Sequence, residues 1–164
     1  MAGVRRNSLT SPEETVTAKV WELMKADEAV APPNGAFRRF FEWTDAHDDG
    51  LEPVPAAMLP ALKIEQEGEA GTGWISNEDH EELFRLQLIV FSPGWHRADY
   101  YGLLHLARKV FLSKTNRRAL MSDASVETFS LTSGPAIRGG EREGNRYLKG
   151  ALSFECRLWL RETA

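Results

Sequence analysis

The chain has 164 residues, 42% hydrophobic and 27% charged, with 20 Lys and Arg against 24 Asp and Glu for a net charge of −4. That size suits a single domain that buries roughly two thirds of its unfolded surface, and the charge balance gives no general attraction to nucleic acid or an anionic membrane. The single cysteine excludes an internal disulfide framework, and nowhere does the sequence hold the run of about 18 apolar residues that a spanning helix needs.

Residues 1–10 read as a flexible N-terminus; Arg5 and Arg6 are not followed by the apolar middle of a secretory signal, so folding in a cytoplasm is expected. Ser11-Pro12-Glu13-Glu14 is a helix start: Ser11 can cap, Pro12 suits the first helical position and Glu14 sits where a capping box needs an acid. Val16, Val20, Leu23 and Met24 share one face, which predicts a helix over about residues 12–26, ended before Pro32-Pro33-Asn34-Gly35. The aromatic segment Ala36–Trp43 is expected to be a strand.

Asp45, Asp49 and Gly50 match positions one, five and six of a calcium-binding EF-hand loop. The match fails where it matters: position twelve is Ala56 instead of a bidentate glutamate, His47 sits at position three, and Pro53 and Pro55 stand where a helix should follow. The segment reads as an acidic surface turn. Leu59–Gln66 is predicted as a short strand whose Pro60 confines its start to an edge or bulge. Residues 67–80 are rich in Gly and acid without a usable period, and read as a long hairpin connection in which Trp74 is a contact residue.

From Leu83 to Phe91, Phe84, Leu86, Leu88 and Val90 alternate with Arg85, Gln87 and Ile89, the pattern of a central strand. Ser92-Pro93-Gly94 breaks it. Asp99 is then expected to cap a helix through about Ser113, buried along Leu103, Leu106, Ala107, Val110 and Phe111, with one more turn over Asn116–Met121. Two long strands follow, Val126–Ile137 and Tyr147–Leu160, joined by a mobile hairpin tip over residues 138–146. In the last of them Leu152, Phe154, Cys156, Leu158 and Leu160 share one face, and Ser153, Glu155, Arg157, Trp159 and Arg161 the other. One apolar and one polar face means a sheet covered on one side only, and it makes Cys156 a small buried hydrophobe. The predicted class is α+β: an antiparallel or mixed four- to five-stranded sheet with helices packed on one face.

No chemistry-bearing constellation accompanies this pattern. No two of His47, His80, His96 and His105 have the spacing of paired ligands on a helix. Neither Gly139-Gly140 nor Gly71-Thr72-Gly73 opens a helix that could cradle phosphate, and Ser133 is not in a nucleophile elbow. The acidic runs Glu78-Asp79 and Glu81-Glu82 read as solvated faces. The basic pairs Arg5-Arg6, Arg38-Arg39 and Arg117-Arg118 are separated and mixed with acids, short of a nucleic-acid footprint. The expectation is a protein that is not an enzyme and needs no metal or organic cofactor.

In its order of elements the chain resembles the tail-terminator and related minor-tail or neck proteins of long-tailed bacteriophages. The similarity covers roughly residues 58–161: Leu59-Pro60-Ala61-Leu62-Lys63-Ile64 as a first sheet strand, Leu86–Phe91 followed by a turn and a helix holding Leu103–Phe111, and a closing hairpin that ends in Gly150–Arg161. The N-terminal helix and the 67–80 segment have no ready counterpart. The resemblance implies a homohexameric ring, assembled in the host cytoplasm and located in the virion, that caps the head-proximal end of the tail tube. It would contact the tail tube protein and head-completion or neck proteins, let genomic DNA pass through its lumen and touch no membrane. Candidate interface residues are then Trp74, Glu78, Arg138, Arg142, Arg146, Glu155, Arg157 and Trp159. The alternatives are another neck ring, such as a head-completion stopper, and from a different class a small ligand-binding or enzymatic α+β domain.

Overall fold

The computed structural model describes residues 12–41, 56–74, 79–124, 126–133, 137–142 and 144–161. Helix α1 (Pro12–Ala26) leads to β1 (Arg39–Phe41), a 3₁₀ turn (Ala56–Met58), β2 (Ala61–Trp74) and β3 (Asp79–Pro93). Helices α2 (Arg97–Leu112) and α3 (Lys114–Asp123) follow, then β4 (Val126–Ser133), β5 (Arg138–Arg142) and β6 (Asn145–Arg161). The six strands form one mixed sheet in the order β1-β2-β3-β6-β4, with β5 also on β6; β1 runs parallel to β2 and the remaining pairs are antiparallel. This is the expected α+β class, with β1 and β5 raising the strand count to six.

The sheet's helix side holds the main core. Leu86, Leu88, Phe154 and Leu158 of the two central strands meet Val20 and Met24 of α1, Val110 and Phe111 of α2 and Leu120 of α3, all essentially without exposed surface. Period-two strands and period-3.6 helices present matching apolar faces, which is why the layers pack. Phe154 is clamped between Phe111, edge-on at 5.4 Å, and Phe129, stacked at 5.1 Å between ring centroids. Cys156, in no disulfide and 1% exposed, lies on this face, its thiol donating to the Phe84 carbonyl at 3.7 Å. At Gly150 a Cβ would collide with the Tyr100 ring and hydroxyl, so the missing side chain lets α2 lie close against β6. A smaller cluster, Phe41, Leu59, Ala61, Ile89 and Phe91, lies on the opposite face.

Several boundaries differ from the sequence reading, each for a physical reason. The stretch expected as a 67–80 connection is mostly sheet, because β2 runs to Trp74 and β3 begins at Asp79. Backbone pairing with β3 carries it despite its glycines, through register shifts between Gln66 and Gly68 and between Glu69 and Gly71. Residues 138–146 are likewise no free tip: β5 pairs with β6 from Arg138↔Lys149 to Arg142↔Asn145, and Gly144 stands at φ 80° just before β6. The strand expected over Val126–Ile137 is described only to Ser133.

Asp99 does not cap α2; His96 occupies the N-cap without a side-chain hydrogen bond, and Asp99 falls in the first turn, where its charge favours the helix dipole. The predicted extra turn is a ten-residue helix, α3, capped by Ser113 Oγ, which accepts from the Asn116 backbone N–H at 3.4 Å. The 1–10 segment and the Asp45–Gly50 turn lie outside the described residues.

Candidate functional site

The face of the sheet turned away from the helices carries Arg138, Glu155 and Arg157 of the residues expected to act. Across the β3–β6 pair, Arg85 Nε donates to Glu155 Oε2 at 2.8 Å. Along β2, Lys63 Nζ meets Glu65 Oε1 at 2.9 Å, the lysine being almost buried and the glutamate open. From Glu65 across β3 and β6 to β5 lies a shallow hollow of about 200 Å³ lined by Glu65, Gln87, Ile89, Arg138, Lys149 and Ala151. Lys149 also lies over the Phe91 ring, 5.7 Å from its centroid. Opposite charges alternate across this surface, so it offers no concentrated field to a polyanion.

Of the expected interface residues, Glu155, Arg157 and Arg138 stand on strands of this sheet, Arg157 and Arg138 exposed and Glu155 partly so. Arg157 is in register with Leu83 of β3 and Thr128 of β4. Arg146 is used within the chain. Its guanidinium stacks 4.3 Å from the centroid of the Trp95 ring, Trp95 Nε1 donates to the Gly140 carbonyl at 3.2 Å, and the Gly94 N–H donates to the Arg146 carbonyl at 2.7 Å. These contacts tie the β5–β6 turn to the β3–α2 turn. Trp74 closes β2 opposite His80, Trp159 stands opposite Glu81, and Arg142 opposite Asn145. Glu78, and the side chains of Trp74, Arg142 and Trp159, lie outside the described residues.

A second surface escaped the sequence reading. Between the end of α2, helix α3 and the edge strand β4 runs a groove of about 600 Å³. Its floor is apolar, from Phe111, Leu112, Met121, Phe129 and Leu131, and Leu112 and Met121 are 57% and 53% exposed. Its rim is basic, from Arg108, Lys114, Arg117 and Arg118. In sequence Arg117-Arg118 is an isolated pair. The fold adds Arg108 and Lys114 from the adjoining turns, and no acid occurs between Asp99 and Asp123. Among the described residues β4 pairs only with β6, so its outer edge beside the groove carries no strand.

Chemical candidates stay dispersed. His96 and His105 are exposed on α2 and its N-cap, His80 is in β3, and His47 lies outside the described residues. Among the described residues no three His, Cys, Asp or Glu side chains converge as metal ligands. The Tyr100 phenol is pushed above its ordinary value, chiefly by burial and further by Tyr101, with Arg108 opposing; it stays neutral against β6. Among the described residues no helix is long and apolar enough to cross a membrane. No protein-family model matches the chain, and no curated protein matches it.

Proposed function

We propose that the protein is a structural virion component, a tail terminator of a long-tailed bacteriophage, whose homohexameric ring caps the tail tube and joins it to the neck and head-completion proteins. The observation that carries this reading is the division of one sheet into a helix-covered face and a mixed-charge face. A ring built from such subunits turns its helices outward and its charged sheet face toward the channel. On that face Arg85 is balanced by Glu155 and Lys63 by Glu65. DNA passing through meets few uncompensated cations, and strong phosphate binding needs many of them.

The element order supports the same reading. A strand over the Leu59–Ile64 region, a central strand ending at Pro93, a helix holding Leu103–Phe111 and a closing hairpin through Arg161 follow one another as the resemblance requires. The function then resides in surfaces, and neither metal nor cofactor enters it.

Negative-stain imaging of the purified chain, with its solution mass from light scattering, tests the proposal. The expected result is a six-fold ring with an open centre that binds the ends of tail tubes. A monomer at all concentrations overturns it. A ring that binds only the head-side connector reassigns it to a stopper.

A further inference from the structure

Strand β4 ends the sheet with an edge that lacks the usual protection. From Thr128↔Arg157 to Ser133↔Leu152 its register with β6 is unbroken, and Thr128-Phe129-Ser130-Leu131-Thr132-Ser133 contains neither a charge nor a proline. Among the described residues nothing pairs with its outer side. Sheet edges are ordinarily blunted by Lys, Pro or a bulge, because their unpaired N–H and C=O groups invite another strand. The register shift in β4 lies between Val126 and Thr128, ahead of this stretch, which leaves roughly 20 Å of regular edge, the length of an ordinary strand.

We infer that this edge accepts an extended acidic segment of a partner protein, which adds a strand to β4 and seats its side chains in the groove between α2, α3 and β4. On the helix side of β4, Phe129 and Leu131 form one wall of that groove, with Phe129 stacked on Phe154. A strand added outside β4 lies about 4.8 Å further out, and every second side chain points into the same space. Leu112 and Met121, each more than half exposed, are the apolar surface those side chains cover. Lys114, Arg117 and Arg118, all exposed on the rim, meet carboxylates on either side of the apolar centre.

Charge selects the occupant. None of the described residues that line the groove is an acid, so the rim attracts carboxylates and turns away a cationic strand. Two copies pairing β4 to β4 would bring the Arg117 and Arg118 of each together, which disfavours that self-complementary contact. A nucleic-acid backbone would answer the rim cations but leave Leu112 and Met121 uncovered and the β4 edge unpaired. An acidic extended segment uses all three features: its main chain pairs with β4, its apolar side chains fill the floor and its carboxylates fix the register. This contact goes beyond the ring reading and does not depend on it.

The test titrates the full chain into a fluorescent peptide of about nine residues, threonines around a central Glu-Thr-Phe-Thr-Glu, and follows anisotropy. The wild type should bind it saturably and bind the version with Lys in place of Glu about tenfold or more weakly. Arg117→Glu with Arg118→Glu should reverse that preference, which a chain damaged in folding would not do. Two further peptides carry backbone N-methyl groups, one on the Glu and Phe residues and the other on the threonines between and beside them. Because alternate N–H groups of a strand face the same neighbour, at least one of the two should lose about tenfold or more in affinity. Absence of saturable binding by wild type, equal binding of the Lys peptide, or undiminished binding of both methylated peptides overturns the inference. So does a short DNA duplex that wild type binds more tightly than the peptide and that Arg117→Glu/Arg118→Glu releases, which assigns the groove to nucleic acid. Rings that form while the peptide fails to bind overturn this contact and leave the ring reading standing; a chain that stays monomeric yet binds the peptide does the reverse.

Discussion

On the helix side of β6, Leu152, Phe154, Cys156 and Leu158 are buried to within 1% of full exclusion, whereas Ser153, Glu155 and Arg157 of the same strand remain partly or fully open on the other side. The backbone is one and the pairing continuous from Pro93↔Tyr147 to Asp79↔Arg161, so strand propensity does not distinguish the faces. Cover does. Among the described residues three helices lie over one face, and the other carries the small cluster of Phe41, Leu59, Ala61, Ile89 and Phe91 at one end, giving way to charged pairs along the strands. Among the described residues one face therefore holds most of the core, and the other, like the helix-side groove at the β4 edge, stays open.

The sharpest way to break this comparison is to cut the helix face at its centre. Phe154→Ala removes a ring with no exposed surface that bridges Phe111 and Phe129, and should cost about 3–5 kcal/mol in denaturant unfolding. Leu158→Ala belongs to the same class. A loss below about 1 kcal/mol for Phe154→Ala would mean that the helices do not bear on the sheet here. Gly150→Ala probes how closely they bear. The added Cβ has to displace the buried Tyr100 ring, so the expected loss is about 3 kcal/mol, the upper end of overpacking, and Tyr100→Phe with Gly150→Ala should recover part of it by removing the hydroxyl.

The opposite face should respond less and unevenly. Ile89→Ala, 3% exposed within the small cluster, should cost about 2 kcal/mol, the low end for a buried aliphatic, because fewer neighbours close over it. Glu155→Gln, four residues' pairing along the same surface at the Arg85 ion pair, should cost less than about 1 kcal/mol, since both partners are roughly half exposed and solvent screens the pair. Equal losses at Ile89 and Glu155 would remove the distinction between the apolar end and the charged end.

Much of this arrangement is legible from residues alone because it follows from periodicity. The bounds of α1, the burial of Cys156 and the central place of β3 come directly from apolar spacing. What periodicity misses is structure imposed by neighbours. Gly68, Gly71 and Gly73 have no side chains to show a strand's alternation, yet β3 holds their backbone in the sheet. The β5–β6 turn likewise depends on Trp95 and Arg146, which only the fold brings together. The basic groove was hidden for the same reason: its cations come from two helices and its floor from those helices and β4.

The smallest expected effect concerns how the helical layer is held together at its surface. Lys19 of α1 and Asp123 of α3 form an ion pair at 2.7 Å, and Lys19 also reaches Glu22 at 3.2 Å. The hydrogen bond from Lys19 holds the Asp123 carboxyl below its ordinary 3.8, helped by the Ser122 hydroxyl, and the bond to Asp123 lifts the Lys19 ammonium above 10.5. A carboxyl whose folded pKa is depressed contributes stability that is present above its unfolded value and lost as pH falls through the folded one; a raised lysine contributes below 10.5 and loses it as pH rises further. Asp123→Asn should therefore lower the melting temperature slightly at neutral pH, and the difference from wild type should close as pH is taken down through the acid range. Added salt should shrink it at neutral pH, because the pair faces water. A difference that persists unchanged at a pH where Asp123 is protonated would show that the substitution acts through the end of α3 and not through the charge on Lys19.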